Sequence, residues 1–468
     1  MIRSLLPAIL AALSCAHSGD RGLASIRAEK ILADVAYIAC DDMGGRDTPS
    51  VGQRLTARFI RNRLERLGCR PGAKDGWFHV FDLEWRTLNE SACRASAAKG
   101  DRKLELVFGA DYSFAPQQIM DLNLDAGVLH WGPVPAALDP AVDVKGKWVL
   151  FTEPGGVLQN LEGPLLQAGA VGVLTTVHVI TNLGADPAGG DVFKLFGNLM
   201  RTGRLKYPEP GLILPRVYLK KTTIDKLLAL SSVEAPATGV TLPLRFIEVR
   251  GLGSNRKVAC ENVLGFWPGS DPERSKEVVI VSAHYDHIGV DRRGQVYNGA
   301  DDNGSGAVAL LAIAEALAEH GPLDRSILLA WLSAEELGLW GSRAFVENPW
   351  FPEGGRAVGN INLDMIGRNA GRQILITPFD GAHPKFNRLA DSAKSAAAAE
   401  GFTDVASGDG YFERSDQASF AKLGIPVVFL TDGMHPDYHE PTDDPEKIDG
   451  DKIRRVARTV FRVLTGSR

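Results

Sequence analysis

Histidine and carboxylate side chains recur where the apolar stretches in the second half of the sequence end. These side chains are His284, Asp286, Asp301, Asp302, Glu335, Glu336, Asp364 and His439. Each of them, taken alone, is common in a turn, a helix cap or a solvated face. Several uncompensated carboxylates at the ends of buried strands would cost a large desolvation energy unless a cation lay among them. The shared position therefore predicts a metal cluster.

The composition of this cluster favours two zinc ions. Histidine and carboxylate are ordinary zinc ligands. A set of two histidines and three carboxylates exceeds the roughly three protein ligands of one catalytic zinc, and it suits two metals that share a bridging carboxylate. The pair Glu335–Glu336 then leaves one carboxylate over. Because adjacent residues at a strand end point in opposite directions, one glutamate can bind metal while the other serves as a general base.

The segments that must position these residues alternate between strand and helix from residue 241 onward. The strand-like apolar runs are 277–287, 326–336, 357–367 and 425–433. Between the first two runs, Gly304–His320 is apolar nearly all round, which predicts a buried helix. This alternation predicts an α/β fold, with a mixed, largely parallel sheet flanked by helices. In such sheets ligands bind beyond the carboxyl ends of the strands, where the candidate ligands lie.

The part of the chain before residue 241 divides into two regions. Residues 24–114 begin with two amphipathic helices joined by the polar stretch Asp41–Ser50, and short strand-like runs follow. Residues 115–240 alternate between short apolar runs and Gly-rich turns, which predicts a small β-rich domain with an exit linker at Glu234–Gly239. We therefore predict three regions: 24–114, 115–240 and 241–468.

Five short strings in the second half resemble, in order and spacing, the co-catalytic zinc aminopeptidases, a family that also includes glutamate carboxypeptidase and the glutaminyl cyclases. The strings are AHYDH (283–287), GADDNGSG (299–306), AEELGLWGS (334–342), NLDMIG (362–367) and YHEPTDD (438–444). The resemblance spans about 241–468, with weaker agreement over 24–85. It implies that 24–114 and 241–468 together form the catalytic peptidase domain, into which 115–240 is inserted. It implies the zinc exopeptidase fold, two Zn²⁺ ions as cofactors and peptides as substrates.

The resemblance also assigns the metal ligands. By this comparison His284 and Asp364 hold one zinc, and Glu336 and His439 hold the other. Asp302, rather than the aspartate before it, bridges the two ions. These five residues are all intact in the sequence.

Catalytic roles follow from the same resemblance. Glu335 is implied as the base that takes a proton from the attacking water, and Asp286 as the residue that orients His284 through its outer ring nitrogen. Tyr438 is implied as a donor to the oxyanion, with simple packing as the alternative. The added His287 is given no role. The remaining polar residues near the strings are pocket residues or loop caps: Asp416, His435 and Asp437.

The function that these roles imply is an exported, zinc-dependent aminopeptidase that removes single residues from the amino end of peptides. A carboxypeptidase or dipeptidase on the same scaffold is the main alternative, because the ligand set is common to both, and Arg368 or Arg414 could bind a substrate carboxylate. A glutaminyl cyclase is disfavoured because that branch works with one zinc. A non-catalytic binding protein is disfavoured because it should show broken ligands.

The inserted region 115–240 resembles the protease-associated domain that often precedes the catalytic part in this family. The resemblance rests on VKGKWVLF (144–151), AGAVGVLTT (168–176) and LPRVYL (214–219), which are mainly core patterns. The region is then either a spacer or a lid that favours peptides over folded proteins as substrates.

Length, charge and the first residues give further expectations. The chain has 468 residues, which suggests two or more domains, and a net charge of −5, which gives no reason to expect nucleic acid as a partner. Arg3 and the apolar run Leu5–Leu13 predict a signal peptide at 1–16, with lipid attachment at Cys15 as the alternative. We expect a periplasmic or extracellular protein without an integral membrane span. The cysteines beyond the signal allow one or two disulfides of unassigned pairing: Cys40, Cys69, Cys93 and Cys260.

Overall fold

The computed structural model describes residues 21–114, 122–153, 157–176, 204–208, 214–291 and 293–466. The predicted signal peptide at 1–16, Cys15 included, lies outside these residues. Within the described ranges, none of the helices combines the length and the apolar character that crossing a membrane requires.

The secondary-structure elements are numbered in chain order. The described helices are α1 (Ala28–Ile38), α2 (Val51–Arg66), α3 (Gln159–Gln167), α4 (Lys221–Ser231), α5 (Gly306–His320), α6 (Trp340–Glu347), α7 (Arg388–Ala399), α8 (Gln417–Lys422) and α9 (Gly450–Thr465). The described strands are β1 (Arg70–Pro71), β2 (Phe78–Lys99), β3 (Arg102–Leu106), β4 (Tyr112–Phe114), β5 (Leu122–Pro133), β6 (Lys147–Glu153), β7 (Gly172–Thr175), β8 (Arg204–Lys206), β9 (Arg216–Leu219), β10 (Val240–Trp267), β11 (Glu277–His284), β12 (Gly289–Val290), β13 (Val296–Tyr297), β14 (Ser326–Leu332), β15 (Arg356–Leu363), β16 (Gln373–Thr377), β17 (Asp404–Ser407) and β18 (Val427–Thr431).

The chain forms two compact units, and the second is wider than the predicted insertion at 115–240. It comprises Asp82–Val258, while the first comprises the residues up to Phe81 together with Ala259–Arg468. The second unit begins before the predicted start at 115, because β2 forms a hairpin with β3 in which Ala95 pairs with Leu106. At the far end β10 starts at the predicted exit linker and pairs with β5 as far as Gly251. The predicted boundaries were placed where the composition changes. The long strands β2 and β10 extend the second unit beyond those positions.

The sheet of the first unit is mixed and largely parallel, as predicted. Its strand order is β17-β16-β18-β15-β11-β14, followed by the last residues of β10. Strand β11 is parallel to both of its neighbours, β14 and β15, and β15 is parallel to β18. Every residue of β14 and β18 is buried. Burial on both faces explains why these strands appear in the sequence as continuous apolar runs.

Helices cover this sheet in the way that the sequence periodicity predicts. The two amphipathic helices around Asp41–Ser50 are α1 and α2, and α2 begins with the Ser50 hydroxyl accepting a hydrogen bond from the Gln53 amide at 3.0 Å. Such a cap stabilises a helix by about 1 kcal/mol. Helix α5 is buried along Gly306–Leu317, as its uniformly apolar sequence predicts, and it contributes to one core with α1, α2 and α9.

The second unit has hydrophobic cores of its own. Strands β5, β6, β7 and β9 are parallel neighbours, and β4 pairs with β9 in the antiparallel sense. The apolar strings at 144–151, 168–176 and 214–219 contribute β6, β7 and β9. Trp148 of β6 packs at right angles to Phe246, with ring centroids 5.7 Å apart, inside one of the cores.

The cysteines do not form the disulfides that their even number suggested. Within the described residues, no disulfide links Cys40, Cys69, Cys93 or Cys260. The Cys69 thiol contacts the carbonyl oxygens of Arg70 and Phe266, at 3.4 Å and 3.6 Å. Burial raises the pKa of this thiol, which keeps it protonated and unreactive.

Candidate metal centre

The first part of the candidate site lies where two adjacent parallel strands end. His284 is the last residue of β11, and Asp364 follows the last residue of β15. Register places them side by side, because Ser282 pairs with Asn362 two residues earlier in each strand. The His284 Nε2 and an Asp364 carboxylate oxygen are 3.3 Å apart.

Asp302 connects this pair to a second one. It lies in the turn Ala300–Ser305 that precedes α5, where its amide donates to the Asp443 carboxylate at 3.1 Å. One Asp302 oxygen, Oδ1, lies 3.4 Å from the His284 Nε2. The other, Oδ2, lies 3.2 Å from the His439 Nε2. A carboxylate whose two oxygens face two different histidines has the arrangement of a bridging ligand.

Glu336 and His439 complete the second pair. The His439 Nε2 is 3.2 Å from the Glu336 Oε2, the same distance that separates it from Asp302. His439 has a left-handed backbone conformation with φ of 57°, which turns its imidazole toward the cluster. The ring of Tyr438 stacks on that imidazole with centroids 3.9 Å apart.

The two glutamates face different partners, although both lie beyond the end of β14 rather than inside it. Strand β14 ends at Leu332, and Ala334 has a φ of 57°, which reverses the chain before the glutamates. Glu336 points to His439, whereas the Glu335 Oε2 lies 3.9 Å from the His284 Nε2. Burial raises the pKa of Glu335 well above its ordinary value; the nearby His284 lowers it and Asp364 raises it further.

Asp286 supports both His284 and Glu335. The outer nitrogen of His284, Nδ1, lies 3.2 Å from the Asp286 backbone carbonyl oxygen and 3.7 Å from its carboxylate. The carboxylate accepts a hydrogen bond from the Glu335 amide at 3.3 Å. Burial raises the pKa of Asp286 to about 7. The orientation of His284 therefore comes first from the backbone of Asp286, and its side chain fixes the turn that carries Glu335.

Asp301 points away from this cluster, although it is adjacent to Asp302 in the sequence. One of its oxygens accepts from the Gly367 amide at 2.6 Å, and the other lies 3.3 Å from the His435 Nε2. Asp437 likewise turns outward, to the Arg368 guanidinium at 2.6 Å. Asp416 is buried in the first unit, and burial raises its pKa to about 6.

Two residues that sequence reasoning missed hold the loops of the site. The buried Arg46 guanidinium donates to the carbonyl oxygens of Tyr285 and Gly299 at 2.9 Å and 2.8 Å, which joins the loop after β11 to the turn before Asp302. Asp443 accepts from the amides of Asp301 and Asp302. The sequence signal for Arg46 was a charged residue inside a Gly-rich stretch, DDMGGRD, which reads as a linker.

The donor set and its geometry fit two metal ions. Among the described residues, two groups have ligand atoms close enough together to hold an ion: His284 with Asp302 and Asp364, and His287 with Asp302 and Glu336. His439 lies within 3.2 Å of the same two carboxylates, Asp302 and Glu336. Nitrogen–oxygen separations of 3.2–3.4 Å within the pairs match the edge of a tetrahedron with metal–ligand bonds of about 2.0–2.1 Å. Burial would lower the pKa of His439, but hydrogen bonds with Asp302 and Glu336 raise it to about 10. The negative environment that favours the protonated His439 also attracts a metal ion. A metal ion that bound to the His439 imidazole would displace its proton.

A cavity opens over the cluster. One side is polar and is formed by Asp302, Glu335, Glu336, Asp364, Tyr438 and His439. The rest of the lining is formed mainly by Met365, Tyr411, Phe429, Thr431 and Met434, together with Arg414. The cavity can therefore take a polar group next to the carboxylates and an apolar group against the apolar part of its lining.

The second half of the chain is similar to known proteins. Residues 262–464 match the model of Peptidase family M28. A 210-residue segment is 30% identical to the aminopeptidase YwaD of Bacillus subtilis (strain 168), covering 43% of each chain, so the match spans less than half of that relative.

Two solved structures share the fold over almost the whole chain. An aminopeptidase from Aneurinibacillus sp. strain AM-1 superposes with a TM-score of 0.54 at 19% identity, covering 95% of each chain. BSAP, a zinc aminopeptidase from Bacillus subtilis, superposes with a TM-score of 0.50 at 20% identity, covering 94% of this chain and 95% of that one. At these identities the likeness shows the fold.

Proposed function

We propose, because residues 262–464 match the model of Peptidase family M28, that this protein is a zinc-dependent aminopeptidase that hydrolyses the first peptide bond of peptides. The observation that carries the proposal is the placement of Asp302, whose two carboxylate oxygens face two separate histidine–carboxylate pairs. Glu335 lies beside these pairs at the wall of the cavity. The family match and the relatives described as aminopeptidases support the same reaction.

We assign the metal ligands in two groups. His284 and Asp364 would hold one zinc, Glu336 and His439 would hold the other, and Asp302 would contribute one oxygen to each. When bound, the two ions supply Lewis acidity, which polarises the scissile carbonyl and lowers the pKa of a water molecule.

Glu335 is the general base and acid in this proposal. It lines the cavity, and its side chain does not pair with His439, so it remains available to the reacting atoms. It takes the proton from the attacking water and later delivers it to the leaving amine.

Tyr438 is placed to donate a hydrogen bond to the oxyanion of the tetrahedral intermediate. Its stacking on His439 fixes the ring at the cavity wall. Burial, with further contributions from Asp302 and Glu336, raises the pKa of its hydroxyl to about 12. The hydroxyl therefore keeps its proton at neutral pH and can donate it in a hydrogen bond.

Preference for a free amino end follows from the charge of the cavity. The carboxylates of Glu335, Glu336, Asp302 and Asp364 all line it. A substrate ammonium group would lie among them, with the first side chain against the wall formed by Met365 and Phe429. A peptide that lacks the ammonium group loses this interaction.

A single short peptide in three forms tests the direction of cleavage. We expect the free and C-amidated forms to be hydrolysed at similar kcat/KM. N-acetylation should lower kcat/KM by at least about 30-fold, since loss of one partner of a buried charge pair costs about 2–5 kcal/mol. A metal chelator should abolish all cleavage, and added zinc should restore it. If C-amidation abolished cleavage and N-acetylation did not, the protein would be a carboxypeptidase. Absence of chelator-sensitive cleavage would favour a glutaminyl cyclase or a binding protein.

The carboxypeptidase alternative depends on Arg414. Of the two arginines considered from sequence, Arg368 is engaged with Asp437 at 2.6 Å and with Asp443 at 3.6 Å. Arg414 lines the cavity, and within the described part of the chain its guanidinium contacts the neutral groups of Met434 and Tyr411 rather than a carboxylate. It is therefore the cation that a substrate carboxylate would meet.

Replacing Arg414 by Met separates the two directions of cleavage. For an aminopeptidase we expect kcat/KM to change equally for the free and the C-amidated peptide. A carboxypeptidase should lose roughly three- to fivefold more on the free peptide, which is the range of an exposed ion pair. Arg414→Lys, which keeps the charge, is the matched control and should leave the ratio of the two rates at its original value.

We further propose that the protein is exported and that the second unit is a protease-associated domain that favours peptides over folded proteins. The apolar start of the sequence supports export, and the strings at 144–151, 168–176 and 214–219 support the domain assignment. Detection of the mature protein outside the cytoplasm, with its new amino terminus near residue 17, would test the first of these. Relative cleavage of a peptide and of a folded protein that carries the same first residues would test the second.

A further inference from the structure

His287 lies beside the candidate metal centre without a role in the proposed mechanism. It is buried, and its Nδ1 lies 2.8 Å from the Glu336 Oε1. A carboxylate has only acceptors, so Nδ1 is the donor of this hydrogen bond. The other ring nitrogen, Nε2, is buried and has no hydrogen-bond partner among the described residues.

The oxygen that His287 holds differs from the one that faces His439. Glu336 presents Oε2 to the His439 Nε2 at 3.2 Å and Oε1 to His287. The His287 Nδ1 lies 3.9 Å from the nearest Asp302 oxygen, farther than the 3.2 Å between His439 and that oxygen. A direct ligand should be similarly close to both carboxylates, as His439 is. His287 instead occupies the outer side of Glu336.

The surroundings of His287 restrict its ring. Its imidazole meets that of His439 edge to face, with centroids 5.7 Å apart. On the other side lies Gly299, where an added Cβ would come within 2.4 Å of the His287 ring. Gly299 is itself held, through its carbonyl oxygen, by the buried Arg46. The donor is therefore fixed in place before any ligand arrives.

We propose that His287 is a positioning residue for the second metal: it fixes the Glu336 carboxylate by its outer oxygen, so that the inner oxygen is oriented toward the ion shared with His439 and Asp302. This inference rests on the proposed function for the presence of that ion. Groups that orient a metal ligand in this way typically contribute 10- to 100-fold to metal affinity, so about that range is expected here.

The test compares His287→Asn with His287→Gln in the full-length protein. The amide of Asn places its donor near the position of Nδ1, whereas the longer Gln places it near Nε2. Zinc binding is measured by competition with a chelator, and the number of bound ions by metal analysis. We expect His287→Gln to bind the second zinc about 10- to 100-fold more weakly than the original protein and His287→Asn to recover most of that loss, while the affinity for the first zinc stays unchanged in both.

The experiment distinguishes failure of the positioning role from failure of the proposed function. Equal affinity of both variants and the original protein for the second zinc would overturn the positioning role. So would a changed visible absorption of the fully loaded cobalt(II) form of His287→Asn, because this would show that a nitrogen ligand had been lost from the metal itself. Failure of the original protein to bind zinc would contradict the proposed function instead. Thermal unfolding of the metal-free proteins identifies a variant whose fold is damaged.

Discussion

Replacement of Glu335 by Gln is expected to lower kcat for peptide hydrolysis by about 10³-fold, within the range of about 10²–10⁴ that general acid–base catalysis contributes. Gln has the same shape as Glu but cannot take a proton from water. The hydrogen bond to Asp286 comes from the backbone amide of residue 335, so the turn should be kept. Zinc content by metal analysis and the unfolding temperature should match those of the original protein.

The neighbouring glutamate provides the matched control. Glu336 contacts both His439 and His287, so Glu336→Gln should lower the affinity for the second zinc as well as the rate. The two variants carry the same chemical change one residue apart. If Glu335→Gln kept the turnover rate of the original protein, or if it lost zinc, the assignment of Glu335 as the base would be contradicted.

Replacement of Asp302 by Ala is expected to remove both metal binding and activity. Each oxygen of Asp302 faces a different histidine, at 3.4 Å and 3.2 Å, so one substitution takes a ligand from both groups. Zinc affinity should fall by more than about 100-fold, since even residues behind the ligands contribute 10- to 100-fold. The rate should fall by roughly 10³-fold or more, because the Lewis acid contributes several kcal/mol. Metal analysis after dialysis, together with peptide hydrolysis, measures both effects.

Asp301→Asn is the control for this experiment. The Asp301 carboxylate accepts from the Gly367 amide and faces His435, outside the cluster. We expect this variant to bind two zinc ions while losing about 1–3 kcal/mol of stability, the cost of disturbing a buried hydrogen-bonded group. If Asp302→Ala retained two zinc ions and Asp301→Asn lost them, Asp301 would become the bridging residue.

Much of the first unit was predictable because its signals are local. Continuous apolar runs marked β11, β14 and β15, and uniform apolarity marked α5 as buried. Since parallel strands end at a common edge, the candidate ligands after those runs could be expected to meet.

Other features could not be predicted because they depend on which atoms meet across long sequence separations. The extent of the second unit depends on β2 and β10, whose pairing partners lie outside the composition changes used to place its limits. Arg46 is separated from its acceptor Gly299 by 253 residues, so a stretch that reads as a polar linker is in fact buried beside the site. The lack of disulfides among the described cysteines has the same cause, because a disulfide requires two sulfur atoms to approach closely, whatever the number of cysteines.

The sequence by itself determined the set of side chains and the fold that brings them to one edge. Residue type fixes which groups can bind a cation, and apolar periodicity fixes the strands that carry them. Only the tertiary structure decided that Asp301 faces His435 and that His287 holds the outer oxygen of Glu336. The physical reason is that ligand and supporting roles depend on distances of about 3 Å between individual atoms. Those distances are set by loop conformations that distant hydrogen bonds hold, and spacing along the chain does not encode them.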